Sequence, residues 1–179
     1  IPIDAAARDE ALRIQRWFDD DLTPRIRRTV LDALLANPLY FARVFCDGRS
    51  RAAQIAYAMI VPLAAPLVRK GNGITGAAAV EDGHVAARQA LDFVAERSAA
   101  TGYLVGDAFS VADLTAASTI AVLARPTGAP MAAPLPVAAT FAELMARYAA
   151  HPAVAWTSTV YAAHRSAGRD FEGRSSPTS

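Results

Sequence analysis

Phe109-Ser110-Val111-Ala112-Asp113-Leu114 is the stretch of this chain that says most about its fold. Ser110 followed three residues later by Asp113 has the spacing of a capping box. The serine oxygen can accept from the backbone N–H of Asp113, and the carboxylate can reach back to the N–H of Ser110. Both are donors that a helix start leaves without intrahelical partners. Phe109 before the cap and Leu114 at the fifth position are spaced to form a hydrophobic staple. The following residues, Thr115 to Leu123, carry no charge. This helix is therefore expected to be the central one, surrounded by others and unable to satisfy its first turn with water. On that reading Ser110 and Asp113 serve structure, and are not a catalytic pair.

Outward from this segment the apolar spacing is three and four, and no stretch shows the sustained alternation of a half-buried strand. The pattern predicts six or seven helices in one all-α domain. The first runs from Ala5 to Ala36 with Asp4 as its cap, and Ile14, Phe18, Leu22, Ile26, Val30 and Leu34 form a ladder of fours that reads as core. Pro24 interrupts it, lacking the N–H that would bond the carbonyl of Asp20, and a kink is expected since the ladder continues on both sides. Asn37-Pro38 opens a short helix to Cys46, and Ser50 caps the next, which stops at Gly71-Asn72-Gly73. Its apolar run, Ile55 to Val68, is shorter than the ~20 residues that span a bilayer, contains Pro62 and Pro66, and reads as a buried helix. A helix from Thr75 to Ser98 carries a seam of Val80, His84, Ala87, Leu91 and Val94. Its Gly83 costs about 1 kcal/mol of helix propensity, so a packing reason for that glycine is expected. Pro126 to Pro136 reads as a loop, followed by helices Val137 to Ala150 and Pro152 to Ser166, the latter capped near His151. Residues 1–166 are thus expected to form the domain and 167–179 a mobile tail.

The composition agrees with one helical domain. Hydrophobic residues make up 53% and alanine, the best helix former, roughly a quarter. The formal net charge of +1 gives no positive field for a phosphate backbone or an anionic membrane, so neither nucleic acid nor a membrane is expected as a partner. Lys70 is the one lysine among 18 basic residues, a bias that suggests a GC-rich bacterial source. Cys46 is the one cysteine, so no intrachain disulfide is possible and the cytoplasm is the expected compartment.

The segment Gly102-Tyr103-Leu104-Val105-Gly106-Asp107-Ala108-Phe109-Ser110-Val111-Ala112-Asp113-Leu114 is similar to the signature of the glutathione S-transferase C-terminal domain, in which a glycine-containing loop leads into a Ser/Thr-x-x-Asp box on the core helix. Pro2-x-Asp4-x-x-x-Arg8 leading into a helix with Trp17, and His151-Pro152-Ala153-Val154-Ala155-Trp156 near the end, extend the resemblance to about His164. The resemblance implies an orthogonal helical bundle that supplies the hydrophobic electrophile pocket and part of a homodimer contact. The thiolate of glutathione, the co-substrate, would attack a small electrophilic or disulfide substrate. The family's thioredoxin-like domain, with its thiol-activating Tyr, Ser or Cys and its cis-proline, is not in this sequence, and Ile1-Pro2 is expected to be the end of an interdomain linker. No catalytic residue and no cofactor are therefore expected of this chain alone.

Trp17, Asp21, Arg25 and Arg28 form a second row on the first helix, offset from the core ladder. One reading is a solvated face with an Asp21/Arg25 ion pair. The other, implied by the resemblance, is a row that faces the thioredoxin-like domain and lines the substrate pocket. Tyr40, Phe41 and Phe45 are read as core, His84 as a packed histidine, and Cys46 as an inert thiol. His84, His151 and His164 are far apart and offer no metal-ligand cluster. Two other function classes remain: a non-catalytic protein-interaction module of the same fold, which predicts a conspicuous apolar patch, and a helical ligand-binding domain of a regulator.

Overall fold

The Asp4 carboxylate accepts from the N–H of Ala7 at 2.9 Å and opens α1 (Ala5–Trp17), which passes without a break through a π-turn (Phe18–Leu22) into α2 (Thr23–Leu35). The computed structural model describes residues 4–129 and 133–165. The 167–179 tail, Ile1-Pro2 and the middle of the 126–136 loop lie outside them. In the π-turn the N–H of Thr23 donates to the carbonyl of Phe18, five residues back. It stands where Pro24 cannot donate to Asp20, so the interruption is a widened turn within one continuous helix. It also corrects a geometric problem. Steps of four residues advance an apolar ladder by about 40° each on a regular helix. The wider turn takes back part of that drift, and Ile14, Phe18, Leu22, Ile26, Val30 and Leu34 all stay buried.

Asn37 caps α3 (Pro38–Phe45) by accepting from the N–H of Tyr40 at 2.9 Å, and Ser50 caps α4 (Arg51–Gly71) by accepting from Ala53 at 3.3 Å. The expectation that α4 is buried does not hold. Of its residues only Ala58 and Val61 are buried, while Ile55, Met59, Ile60, Leu63 and Leu67 are exposed. One side of α4 packs on α3 and α2 and the opposite side carries apolar residues outward.

α2 packs extensively on α5 (Ala77–Ser98), and Gly83 lets the two helices come close together. A Cβ added there would stand 2.2 Å from Thr29 Oγ1 and 2.6 Å from the carbonyl oxygen of Arg25. Thr29 Oγ1 in turn donates to the carbonyl of Val80 at 2.8 Å, so the space saved by the glycine is used for a hydrogen bond between helices.

The central helix is α6 (Val111–Ala124), which touches α1, α2, α5, α7 (Ala139–Tyr148) and α8 (Pro152–Arg165). Both halves of the Ser110/Asp113 capping box are present. Asp113 is fully buried, and its Oδ2 accepts from the Ser110 N–H at 2.8 Å and from the Ser110 hydroxyl at 2.7 Å. Its Oδ1 accepts from the N–H of Leu104 at 2.8 Å, which ties the 101–109 loop to the helix start. Phe109 stacks on His164 of α8 with ring centroids 4.0 Å apart, and Leu114 is 53% exposed. The seal over this helix start therefore comes from the carboxylate and from α8 more than from the expected Phe109/Leu114 staple. The described residues form an all-α orthogonal bundle with no strand, of seven helices when α1 and α2 are counted as one. Its ring-nitrogen cap at α8, His151 Nδ1 accepting from the Ala153 N–H at 3.3 Å, lies where the sequence puts it.

Two stability predictions follow from these contacts. Gly83→Ala should lose about 1–3 kcal/mol despite the gain in helix propensity, because the helices must separate. An unchanged urea midpoint would show that α2 and α5 are less tightly apposed. Asp113→Ala leaves the N–H groups of Leu104 and Ser110 buried without partners, at roughly 1–3 kcal/mol each. It should cost clearly more than Ser110→Ala, which spares the Leu104 bond, and equal losses in urea unfolding would contradict that ranking.

Candidate functional site

The outer side of the first helix and the one open stripe of α6 face each other across a cleft of about 580 Å³. Its floor is the far end of the core ladder, Ile26, Val30 and Leu34, whose side chains close the bottom while remaining almost wholly buried. Leu114 and Val122 of α6 and Phe45 at the end of α3 form its walls. Phe45 is 49% exposed, so it belongs to this rim, whereas its neighbours Tyr40 and Phe41 are core as read from the sequence.

The polar groups of the cleft are few and come from the π-turn and its surroundings. Thr23, the residue that closes the π-turn, lies 2.7 Å hydroxyl to hydroxyl from Thr119 of α6. Two hydroxyls share that contact with one proton, so the pair retains a second O–H. Asp19, which accepts from Gln15 at 3.2 Å, and Arg27 stand on the α1–α2 side, and Ser118 on the α6 side. An apolar trough with a small number of polar groups is the make-up of a small-molecule site. Across Leu114 and Ser118, which border both, lies a smaller groove of about 280 Å³ closed by Phe109, Val160 and His164. Among the described residues no group of three or more His, Cys, Asp or Glu side chains is placed to hold a metal.

The row Trp17, Asp21, Arg25 and Arg28 does not line the cleft. Trp17 packs edge-on against Phe18 and Phe93, with centroids 5.6 and 5.0 Å away. Arg25 turns to α5 and grips Asp82 with both ends of its guanidinium, Nε to Oδ2 at 2.9 Å and a terminal nitrogen to Oδ1 at 2.7 Å. Asp21 approaches the same guanidinium at 3.3 Å, and Arg28 reaches Asp82 at 3.1 Å. The hydrogen bonds from Arg25 hold the Asp82 carboxyl below its ordinary range, with the charges of Arg25 and Arg28 acting the same way. The row is thus an ion-paired seam between helices, neither a fully solvated face nor a wall of the cleft. The reason is the widened turn between Trp17 and Arg25, which shifts the angular phase of everything after it, together with Asp82, a partner 57 residues on. The residues that do face the cleft, Thr23, Arg27 and the α6 stripe Leu114, Ser118 and Val122, were not singled out as a site. Their alternation of small hydroxyl and apolar side chains on an uncharged helix was the one available sign.

His84 has a partner that the sequence did not suggest. Its Nδ1 lies 2.6 Å from the Tyr148 hydroxyl, at the edge of a polar recess shared with Thr29, Asp32, Glu143 and Arg147. Burial is the main cause that lowers the His84 pKa, assisted by the positive charges of Arg147 and Arg88 and opposed by Glu81 and Asp32. Burial likewise raises the Tyr148 hydroxyl. Because the folded state holds His84 neutral below its ordinary value, the unfolded chain binds more protons there. The parent should therefore lose stability as pH falls below about 6.5. His84→Gln should remove that component of the slope between pH 8 and 5.5 in urea unfolding, and an identical pH profile for the two chains would reject it.

Comparison with known proteins adds one positive finding. Residues 77–164, from the start of α5 almost to the end of α8, match the family model described as Glutathione S-transferase, C-terminal domain. No curated protein and no solved structure matches the chain. The matched segment contains Gly83, the glycine loop, the Asp113 helix start and the α6 stripe on the cleft. Over that segment, 88 of its 179 residues, this all-helical chain is similar to the glutathione S-transferase C-terminal domain family.

Proposed function

We propose that this chain is the substrate-side half of a glutathione transferase. The cleft between the first helix and α6 is its pocket for a small apolar electrophile, or for a disulfide substrate. The observation that carries this reading is the make-up of the cleft: a buried aliphatic floor, walls of Leu114, Val122 and Phe45, and a spare hydroxyl of the Thr23/Thr119 pair. The family match over 77–164 supports glutathione as the co-substrate. The thiolate would be supplied by a thioredoxin-like domain, with two such proteins pairing as a homodimer.

In this assignment the chain binds and orients, and the chemistry needs the partner domain. Ile26, Val30 and Leu34 exclude water beneath the substrate. The free hydroxyl can donate to an electron-withdrawing substituent, and Arg27 at the rim attracts negative charge that develops on the electrophile as the thiolate adds. The mechanism requires no titrating residue from this half.

The non-catalytic interaction module is the second reading, favoured by the exposed apolar side of α4. One experiment separates the two. A chloronitrobenzene electrophile should bind the isolated chain, and Val122→Trp, which fills the cleft from its wall, should weaken that binding about tenfold or more. With glutathione present, the chain alone should turn it over no faster than buffer. Joined to a thioredoxin-like domain, Val122→Trp should raise KM with little change in kcat, the pattern of lost uniform binding. Electrophile binding that is indifferent to Val122→Trp would remove the cleft from the reaction and leave the interaction reading.

A further inference from the structure

From Gly48 to Val80 the sequence holds four basic residues and no acidic one. Two of the four, Arg49 and Arg51, stand at the start of α4, and the other two, Arg69 and Lys70, at its end. Between Arg51 and Arg69 there is no charge at all. The helix is 21 residues long, about 30 Å at 1.5 Å per residue.

The most exposed large side chains of α4 share one side. At 100° per residue Ile55, Met59, Ile60, Leu63 and Leu67 fall within an arc of about 140°, and the buried Ala58 and Val61 lie on the opposite side. Tyr57, 39% exposed, stands about 60° beyond that arc and stacks on Phe41 of α3. Leu63 is 83%, Leu67 75% and Met59 74% exposed, far beyond the stray apolar residue found on any surface. No α4 residue borders the cleft assigned above to substrate, so this face is independent of that site.

The charges select among the occupants that such a face could have. A second copy laid α4 against α4, parallel or antiparallel, would bring basic ends next to basic ends, with no acidic residue between Gly48 and Val80 to relieve them. A bilayer surface with anionic headgroups complements the same pattern. The apolar arc enters the acyl boundary while the arginines and lysine at the helix ends meet phosphate and carboxylate groups. Arg69 is held by Asp32 of α2, but Arg49, Arg51 and Lys70 are exposed and have no ion-pair partner among the described residues. Crossing the bilayer is excluded for α4 in this fold, because Ala58 and Val61 are packed against the rest of the bundle. We infer that the exposed face of α4 is a membrane-docking surface, on which the domain sits with α4 lying in the plane of an anionic lipid leaflet.

Co-sedimentation of the 179-residue chain with vesicles tests this, using phosphatidylcholine alone and phosphatidylcholine mixed about two to one with phosphatidylserine. The chain should pellet with the mixed vesicles and much less with the neutral ones, and salt near 0.5 M should weaken the binding. Leu63→Glu combined with Leu67→Glu should reduce binding about tenfold or more without loss of helical circular dichroism, since both positions are exposed. Arg51→Glu and Lys70→Glu should each cost about fivefold or more. A chain that stays in solution with both vesicle types overturns the inference. So does binding that survives Leu63→Glu/Leu67→Glu, or equal binding to neutral vesicles. Velocity sedimentation of the same chains covers the remaining rival. A dimer that Leu63→Glu/Leu67→Glu disperses, without vesicle binding by the parent, would give this face to a second copy instead.

Discussion

A helix that starts inside a protein must find protein partners for its first N–H groups, and here a single carboxylate meets most of that demand. Asp113 is fully buried and accepts three hydrogen bonds, from the backbone and hydroxyl of Ser110 and from the backbone of Leu104. Three donors at 2.7 to 2.8 Å offset the cost of burying a carboxylate, and the loop they tie down closes over the end of α6. With its start anchored inside, α6 can be uncharged through the middle of the bundle. Its single open stripe then becomes one side of the cleft.

The opposite end of the bundle depends on a different kind of fit. The first helix and α5 meet so closely at Gly83 that a methyl group would overlap Thr29. Around that contact the polar groups are arranged outward in order of burial: the Thr29 hydroxyl on the Val80 carbonyl, then the Arg25 and Arg28 guanidiniums on Asp82. Arg25 is only 20% exposed, so its two-point grip works in a medium less screening than water and fixes the register of the two helices. The ladder side of the same helix is thereby held in position beneath the cleft. The shape of the cleft on one side thus rests on packing and charge pairing on the other.

Local devices were legible in the sequence. The capping box, the Asp4, Asn37 and Ser50 caps, the Gly83 packing requirement and the core ladder all follow from residues a few positions apart, whose interactions are set by helix geometry itself. Partners distant in the chain were not. Nothing near Arg25 points to Asp82, nothing near His84 points to Tyr148, and the Leu104 bond to Asp113 spans a loop whose shape no periodicity describes. The row from Trp17 to Arg28 stands away from the cleft because the widened turn at Phe18–Leu22 and a partner far along the chain, Asp82, set its direction, and neither is visible in the local spacing. The apolar run of α4 was misread for a more basic reason: composition reports that a surface avoids water and is silent on what covers it.

The π-turn at Phe18–Leu22 has a consequence for how this chain can vary. The widened turn holds one residue more than a regular helix would need to carry the chain the same distance. Deleting one of Asp19, Asp20 or Asp21 would relax it to ordinary α-helix and leave everything beyond it in nearly the same phase relative to α1, because the widened turn covers with five residues about the rotation that four make in a regular helix. Ile26, Val30 and Leu34 would keep the face shared with Ile14 and Phe18, and Arg25 its place against Asp82. A residue added to the turn has no such slack to take up, and would rotate the rest of the helix by about 100°. Related sequences that fold the same way should therefore tolerate the loss of one residue between Phe18 and Leu22 far better than the gain of one.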